Sequence, residues 1–328
     1  MTESTMTEST VTPIPLRRIG TDGPLTSTLS LGSWHTYDRM DFRDAVALIT
    51  EAVDRGITLF DVGVYSMPGH PPVFTDVLFS AIVRAAGLSR DRYQLSAKLW
   101  LEPYPELSLC DQLQNALLRA GTDHADLVIL GDLRTDGIDL TRLVHDLADL
   151  QDSGLIGAWG VNNWSAANIQ QLIDRAAADR VPGPQIAQLK YSVARRSIPD
   201  GGPFAALFAQ GLTMQSSDVM EGGILAGKTS PQREVGRDPG GIRDRIIAAA
   251  PRLGELAAEL GTTAAQLCVA FTLTHPANTS TLFGATSVEQ LHENLGAIEL
   301  VESVGAERLR ALVADLQSDA GVVDPAGP

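Results

Sequence analysis

The chain has 328 residues, long for one average domain but within the range of a single large α/β barrel. It is 44% hydrophobic and 20% charged, which excludes a disordered chain. Its net charge of −15, from 40 acidic and 25 basic residues, argues against nucleic acid and anionic membrane surfaces as partners, because both require clustered positive charge. No apolar run reaches the roughly 20 residues of a membrane helix, and no apolar leader follows the polar repeat MTESTMTEST, so the expectation is a soluble cytoplasmic protein. Cys110 and Cys268 lie in apolar helical patterns without metal-ligand spacing, and both read as buried free thiols. The histidines show no metal-site spacing either, so no metal is expected.

In chain order, residues 1–12 read as a polar tail, 13–318 as one folded body and 319–328 as a second tail. The segment LRRIGTDGPLTSTL predicts a hairpin ahead of the first long strand. Strands are then predicted at Leu29–Trp34, Ile57–Gly63, Tyr93–Trp100, Asp126–Gly131, Ile156–Asn162, Gln185–Tyr191, Leu212–Ser217 and Thr279–Ala285. Helical periodicity fills the gaps at Asp41–Arg55, Leu113–Ala120, Leu140–Leu150, Ala166–Ala178, Leu253–Leu260, Ala264–Thr274 and Val288–Leu295. Alternation of this kind means parallel strands with crossover helices. A doubly wound sheet would carry a Gly-rich turn early, and no GxGxxG occurs. The fold class expected is therefore a single (β/α)8 TIM barrel with an N-terminal hairpin as its plug.

Barrel chemistry sits at the C-terminal ends of strands. The second strand ends at Asp61, with Tyr65 just beyond, and the third ends near Lys98. A lysine beside a phenol would lower its pKa and make it a proton donor, whereas a bare Asp–Lys pair would only stabilise the barrel. His35 and His70 fall in loops on the same face, while His145 and His292 read as surface residues. Asn162, Asn163 and Gln188 end the fifth and sixth strands, where they could hold a carboxamide or simply cap the strands. After the eighth strand come Gly284, Thr286 and Ser287, with Gln290, Glu293 and Asn294 on one face of the next helix. That arrangement suits either an anion at a helix N-terminus or an ordinary capped helix. Gly222–Thr229 matches the phosphate loop GxxxxGK[ST], but Ser230, Pro231 and the glycines beyond do not open a helix, so a nucleoside triphosphatase is not expected.

Taken together, LSLGSW, DRGITLFD, SAKLW, DHADLVIL, SGLIGAWGVNNWS, QLKYSVARR, GGILAGK and GATSVEQLHENLGAI, in this order, resemble the aldo-keto reductases from about Leu16 to about Leu312. The branch that includes potassium-channel β subunits is the nearest in pattern. The resemblance implies a barrel that binds NADP(H) in extended form. It implies Ser33 and Trp34 near the nicotinamide ribose, and Asn162, Asn163 and Gln188 at the carboxamide. It puts Ser217 at the stacking position, Gly223 and Lys228 along the pyrophosphate, and Gly284, Thr286, Gln290, Glu293 and Asn294 at the adenosine end. Asp61, Tyr65 and Lys98 would be three of four catalytic residues. The chain departs from the pattern in three places. Tyr65 follows Asp61 by four residues instead of five; Gly131 stands where the fourth catalytic residue, a His, is expected; and Ser217 replaces the aromatic ring that stacks on nicotinamide.

Three readings follow from these departures. One is a reductase of C=N or C=C bonds, with Asp132 or Glu221 receiving a cationic substrate and Tyr65, Tyr37 or His35 giving the proton. The second is a carbonyl reductase with water in the space at Gly131. The third is a barrel that binds NADP(H) without turnover, as sensor or subunit, or that hosts non-redox chemistry. The partner expected is a small-molecule substrate; the sequence leaves the oligomeric state open.

Overall fold

A computed structural model describes residues 12–66, 71–134, 137–228, 241–323 and 325. Nearly all of the predicted N-terminal tail lies outside them, as do four of the ten residues of the predicted C-terminal tail, His70 and residues 229–240. Eight parallel strands close a barrel: β1 (Leu29–Gly32), β2 (Leu59–Val62), β3 (Gln94–Leu99), β4 (Ala125–Leu130), β5 (Ile156–Asn162), β6 (Ile186–Lys190), β7 (Thr213–Ser217) and β8 (Asn278–Phe283). Neighbours follow chain order, and the ring closes where Thr281 of β8 pairs with Leu29 of β1. All eight predicted strands are present, with ends shifted by a residue or two.

Alternation along the strands sorts side chains into two cores. Outward residues such as Phe60, Leu95, Val128, Trp159, Leu189 and Met214 join the large cluster beneath the helices. Inward residues Leu59, Leu127, Ile129, Ala158 and Ile186 form a separate plug at the N-terminal end of the barrel. Ile19 completes that plug, carried there by an antiparallel hairpin of Leu16–Arg18 and Leu25–Ser27. The predicted hairpin therefore closes the barrel floor.

The helices are α1 (Phe42–Asp54), α2 (Thr75–Ala85), α3 (Leu109–Ala120), α4 (Leu140–Asp152), α5 (Ala166–Asp179), α6 (Gly202–Ala209), α7 (Ile242–Glu259), α8 (Ala264–Leu273), α9 (Val288–Leu295), α10 (Ala297–Val304) and α11 (Ala306–Leu312). Side-chain N-caps open several of them: Asp41 for α1, Ser108 for α3, Asp139 for α4, Ser165 for α5, Thr263 for α8 and Ser287 for α9. Sequence periodicity missed α2, α6, α10 and α11, and it began α7 at Leu253, whereas the helix runs from Ile242 and carries Pro251 in its interior. Among the described residues no single helix is long and apolar enough to cross a membrane.

Two expectations need correction. Cys268 is buried, but Cys110 is only half-buried. Asp319, assigned by composition to the C-terminal tail, is 1% exposed; its carboxylate accepts from Ser197 N at 2.9 Å and Ser197 Oγ at 2.9 Å. Packing against the β6–α6 connection thus continues past 318.

Candidate active site

The inward series, followed upward from the plug, turns polar and then reaches the mouth. Its middle layer includes Ser30, Asp61, Ser96, Lys98, Gln188 and Gln215, all buried. Buried polar groups must find partners or be costly, and here they find one another. Ser96 Oγ donates to Asp61 Oδ1 at 2.9 Å, and Lys98 Nζ lies 3.9 Å from Asp61 Oδ2. Lys98 Nζ also donates to Gln188 Oε1, whose amide nitrogen donates to Gln215 Oε1 at 2.6 Å. Gln215, absent from the sequence reading, therefore fixes which way the Gln188 amide faces.

Tyr65 reaches this network despite its short spacing. Val64–Tyr65 pairs antiparallel with Val73–Phe74, and this small hairpin turns the phenol back over the barrel. Its hydroxyl donates to Asp61 Oδ2 at 3.1 Å. Thr75 anchors the turn: its hydroxyl donates to Gly63 O at 2.8 Å and accepts from Gly63 N at 3.0 Å. Ser33 Oγ lies 2.7 Å from the same hydroxyl, which ties β1 to the hairpin. The sequence held no signal for Thr75, because its partners are distant in the chain.

The electrostatics run opposite to expectation. Burial, then the Asp61 charge and its hydrogen bond, raise the Tyr65 pKa well above that of an ordinary phenol. The expected lowering by Lys98 is not seen: burial first, and then the Asp61 carboxylate, govern the phenol. Tyr65 is thus a neutral hydroxyl with a firmly held proton.

Aromatic rings wall the mouth. Trp34 stacks on Tyr65 at 5.9 Å and 22°, and Tyr65 meets Trp100 edge-on at 6.2 Å. His35 lies 5.0 Å from Trp34. Tyr37 does not join them; it is buried against Phe79 in the outer core, so it is withdrawn as a proton donor. At Gly131 a Cβ would meet Trp100 Cε3 at 2.5 Å. The position holds the edge of the Trp100 indole, not the room for water that a missing His suggested. Gly131 O instead accepts from Trp164 Nε1 at 2.9 Å.

The predicted carboxamide residues are divided. Gln188 is committed to Lys98 and Gln215. Asn162 Nδ2 donates to the Asp132 carboxylate. Asn163, at φ 54°, donates its N–H to Gln188 O at 2.9 Å and accepts from Lys190 N at 3.2 Å. His35, Asn163, Asp218 and Glu221 all adopt positive φ just past strand ends, so backbone strain gathers on this face. Glu221 is not available to a cationic substrate: it is 1% exposed and holds Arg195 at 3.0 Å and Ser192 Oγ at 2.8 Å. Asp132 remains half-buried, between Asn162 and Arg134 at 3.6 Å.

On the other side of the mouth, Ser217 ends β7 in register with Lys190. Gly223 has φ 96°, and a Cβ there would strike Lys228 Cδ at 2.5 Å, so the lysine stem lies across the glycine. Gly284 and Thr286 are exposed, and Gln290 Oε1 accepts from Thr286 N at 2.9 Å. Residues at the α9 N-terminus thus bond one another, Ser287 Oγ also accepting from Gln290 N at 3.3 Å. Glu293 is half-buried, and Asn294 is 3% exposed, its Oδ1 lacking a hydrogen-bond partner among the described residues. Among the described residues no cluster of side chains could hold a metal ion.

The chain belongs to the aldo/keto reductase family, whose profile matches residues 28–307. A putative voltage-gated potassium channel subunit beta of Schizosaccharomyces pombe is 24% identical, covering 91% of this chain and 92% of its own length. Probable voltage-gated potassium channel subunits beta from Oryza sativa and Arabidopsis thaliana are each 26% identical, covering 92% and 87% of this chain and 96% and 91% of their own lengths.

Proposed function

We propose that the protein is a cytoplasmic NADP(H)-dependent oxidoreductase that reduces a C=O, C=N or C=C bond of a small molecule. The observation that carries this reading is the meeting of Asp61, Tyr65 and Lys98 at the mouth of a barrel of this family, with the Tyr65 hydroxyl oxygen 3.1 Å from Asp61 Oδ2. The residues suit the cofactor. The orphaned Oδ1 of buried Asn294 is an acceptor waiting for a donor such as an adenine amino group. Lys228, drawn over Gly223, and Thr286 at the start of α9 suit a pyrophosphate or ribose phosphate. Gly284, Gln290 and Glu293 would border the adenosine. Ser33, Trp34, Asn162, Asn163, Gln188 and Ser217 would surround the nicotinamide.

When bound, the dihydronicotinamide supplies a hydride. The chain's own part is then to orient and to deliver a proton. Tyr65 gives its proton to the atom that gains electrons. Asp61 holds the hydroxyl in place, and Lys98 balances the Asp61 charge, so the phenolate left behind is not isolated. No side chain at Gly131 helps to stabilise an oxyanion, and loss of one such donor costs about 10²–10³ in rate. That favours substrates that need less help, such as an iminium whose nitrogen arrives protonated.

Oxidation of NADPH followed against carbonyl, imine and enone panels tests the reading. Turnover with any class supports it; tight NADPH binding with none sinks it. The names of the relatives and the indole at Gly131 favour a second reading, a nucleotide-binding subunit without turnover, and the same experiment separates the two.

A further inference from the structure

Giving up the Tyr65 proton leaves an electrostatic problem behind. The Tyr65 hydroxyl stands 3.1 Å from Asp61 Oδ2 and donates to it. Once the proton leaves, two anionic oxygens face each other across that gap, and like charges in a buried site are costly. Lys98 Nζ, 3.9 Å from Asp61 Oδ2, is shared with Gln188 Oε1. Ser96 donates to the other carboxylate oxygen. Gly131 has no side chain to help. A further donor to the phenolate oxygen is wanted, and it serves the reaction most if it acts only as the proton leaves.

Ser33 meets the first condition, nearness. Its N–H donates to Asp61 O at 3.1 Å, and the ring of Trp34, next in the chain, stacks on the Tyr65 ring. Its hydroxyl is a hydrogen-bonding neighbour of the phenol: burial, Asp61 and Tyr37 raise the Tyr65 pKa, and Ser33 lowers it. The titratable groups packed about the phenol are Asp61, Lys98 and Tyr37, with His35 against the Trp34 ring.

The second condition, timing, follows from counting protons. Thr75 Oγ1 accepts from Gly63 N at 3.0 Å, and it lies 2.8 Å from Gly63 O and 2.7 Å from Ser33 Oγ. It has one proton to give, so two arrangements exist. In the first, Thr75 donates to Gly63 O and Ser33 donates to Thr75. In the second, Thr75 donates to Ser33 and Ser33 donates to Tyr65. Gly63 O is not stranded in the second, because Thr75 N donates to it at 3.0 Å as well. Both arrangements leave these buried groups satisfied, so the charge on Tyr65 decides between them. Ser33 and Thr75 are fully buried, which keeps bulk water out of the exchange.

We propose that Ser33 is a positioning residue that acts through Tyr65, its hydroxyl turning from Thr75 to the Tyr65 oxygen as that oxygen gives up its proton. The inference rests on the reductase reading above. The Tyr65 O–H bond breaks and its proton passes to the substrate. No bond to Ser33 or Thr75 breaks; only their hydrogen bonds change direction.

The test replaces Tyr65 with a trifluorotyrosine in the full-length chain without cofactor. The ring fluorines make the phenol more acidic and report its ionisation by fluorine NMR. Ser33→Ala should raise the midpoint of that titration by about 1–2 pH units, the worth of a hydrogen bond to a charged oxygen. Ser33→Thr should restore most of the original midpoint. Ser33→Cys keeps the volume with a weak donor and should fall between, and it decides where the alanine variant does not fold. A midpoint unchanged or lowered in the Ala and Cys variants that fold overturns the proposal. So does a Ser33→Thr midpoint no lower than that of Ser33→Ala. With Tyr65 intact, Ser33→Ala should lower kcat about tenfold and leave KM near its value, as loss of a bond made only during proton transfer requires. A rise in KM alone overturns the proposal too. A chain that turns over no substrate fails the reductase reading, while the fluorine titration, which needs neither cofactor nor substrate, still decides for Ser33.

Discussion

Tyr65 keeps its proton where a lysine neighbour alone would have loosened it. Because its pKa lies well above 10, the group stays protonated across neutral and mildly alkaline pH. A pH profile of kcat/KM should therefore show no alkaline fall assignable to Tyr65 below about pH 10, and Tyr65→Phe should cut the rate by about 10²–10⁴ without shifting the profile. An unchanged rate in that variant would remove Tyr65 from the mechanism. Asn294 makes a two-sided prediction. Asn294→Leu, similar in volume, should raise the stability of the cofactor-free protein by about 1–3 kcal/mol, since it removes an unpaired buried group. It should also weaken NADPH binding, and urea titration with a fluorescence binding assay checks both. Asp61 and Lys98 were legible in sequence because strand ends are local features. The Trp100 edge over Gly131 was not, since it depends on how β3 and β4 align side by side.

At the scale of elements, the strands and the capped helices were readable because alternation and caps act within a few residues. The elements missed are those whose identity is settled by neighbours. Helix α2 has no side-chain cap, and it is held by Thr75 under the β2 turn and by buried Asp76, which receives Arg119 at 2.7 Å. The Arg195–Glu221 pair is likewise invisible in sequence, yet it fastens the β6 exit to the turn after β7. Burial dominates at Glu221 and raises its pKa, even though Arg195 pulls the other way. A raised carboxyl pKa means that this group favours the folded state most at low pH and less as pH rises through its folded value. Arg195→Met strands the carboxylate and should cost about 3–5 kcal/mol. The loss should shrink on acidification, as a urea series at successively lower pH would read out. A loss that does not vary with pH would mean that Glu221 is not the group left unpaired.

For the whole molecule, the −15 net charge excludes some partners and burdens others. In the proposed reading a phosphorylated dinucleotide would approach against that field, favoured by local groups such as Lys228 and the α9 N-terminus. Salt screens the long-range repulsion, with a Debye length near 10 Å at about 0.1 M. Stopped-flow association of NADPH should therefore speed up between about 0.02 and 0.2 M salt, the reverse of what a basic site would show. The closure of the ring has a consequence for the ribosome. The bonds that complete the barrel join β1, the first of its strands in chain order, to β8, the last. Until Phe283 has been synthesised, a growing chain carries two open strand edges, β1 and β7, with unsatisfied backbone groups along both. The barrel thus cannot seal itself before the last of its eight strands is made. Nascent chains released before Asn278 should accumulate as aggregates or on chaperones, while chains released after Phe283 should not.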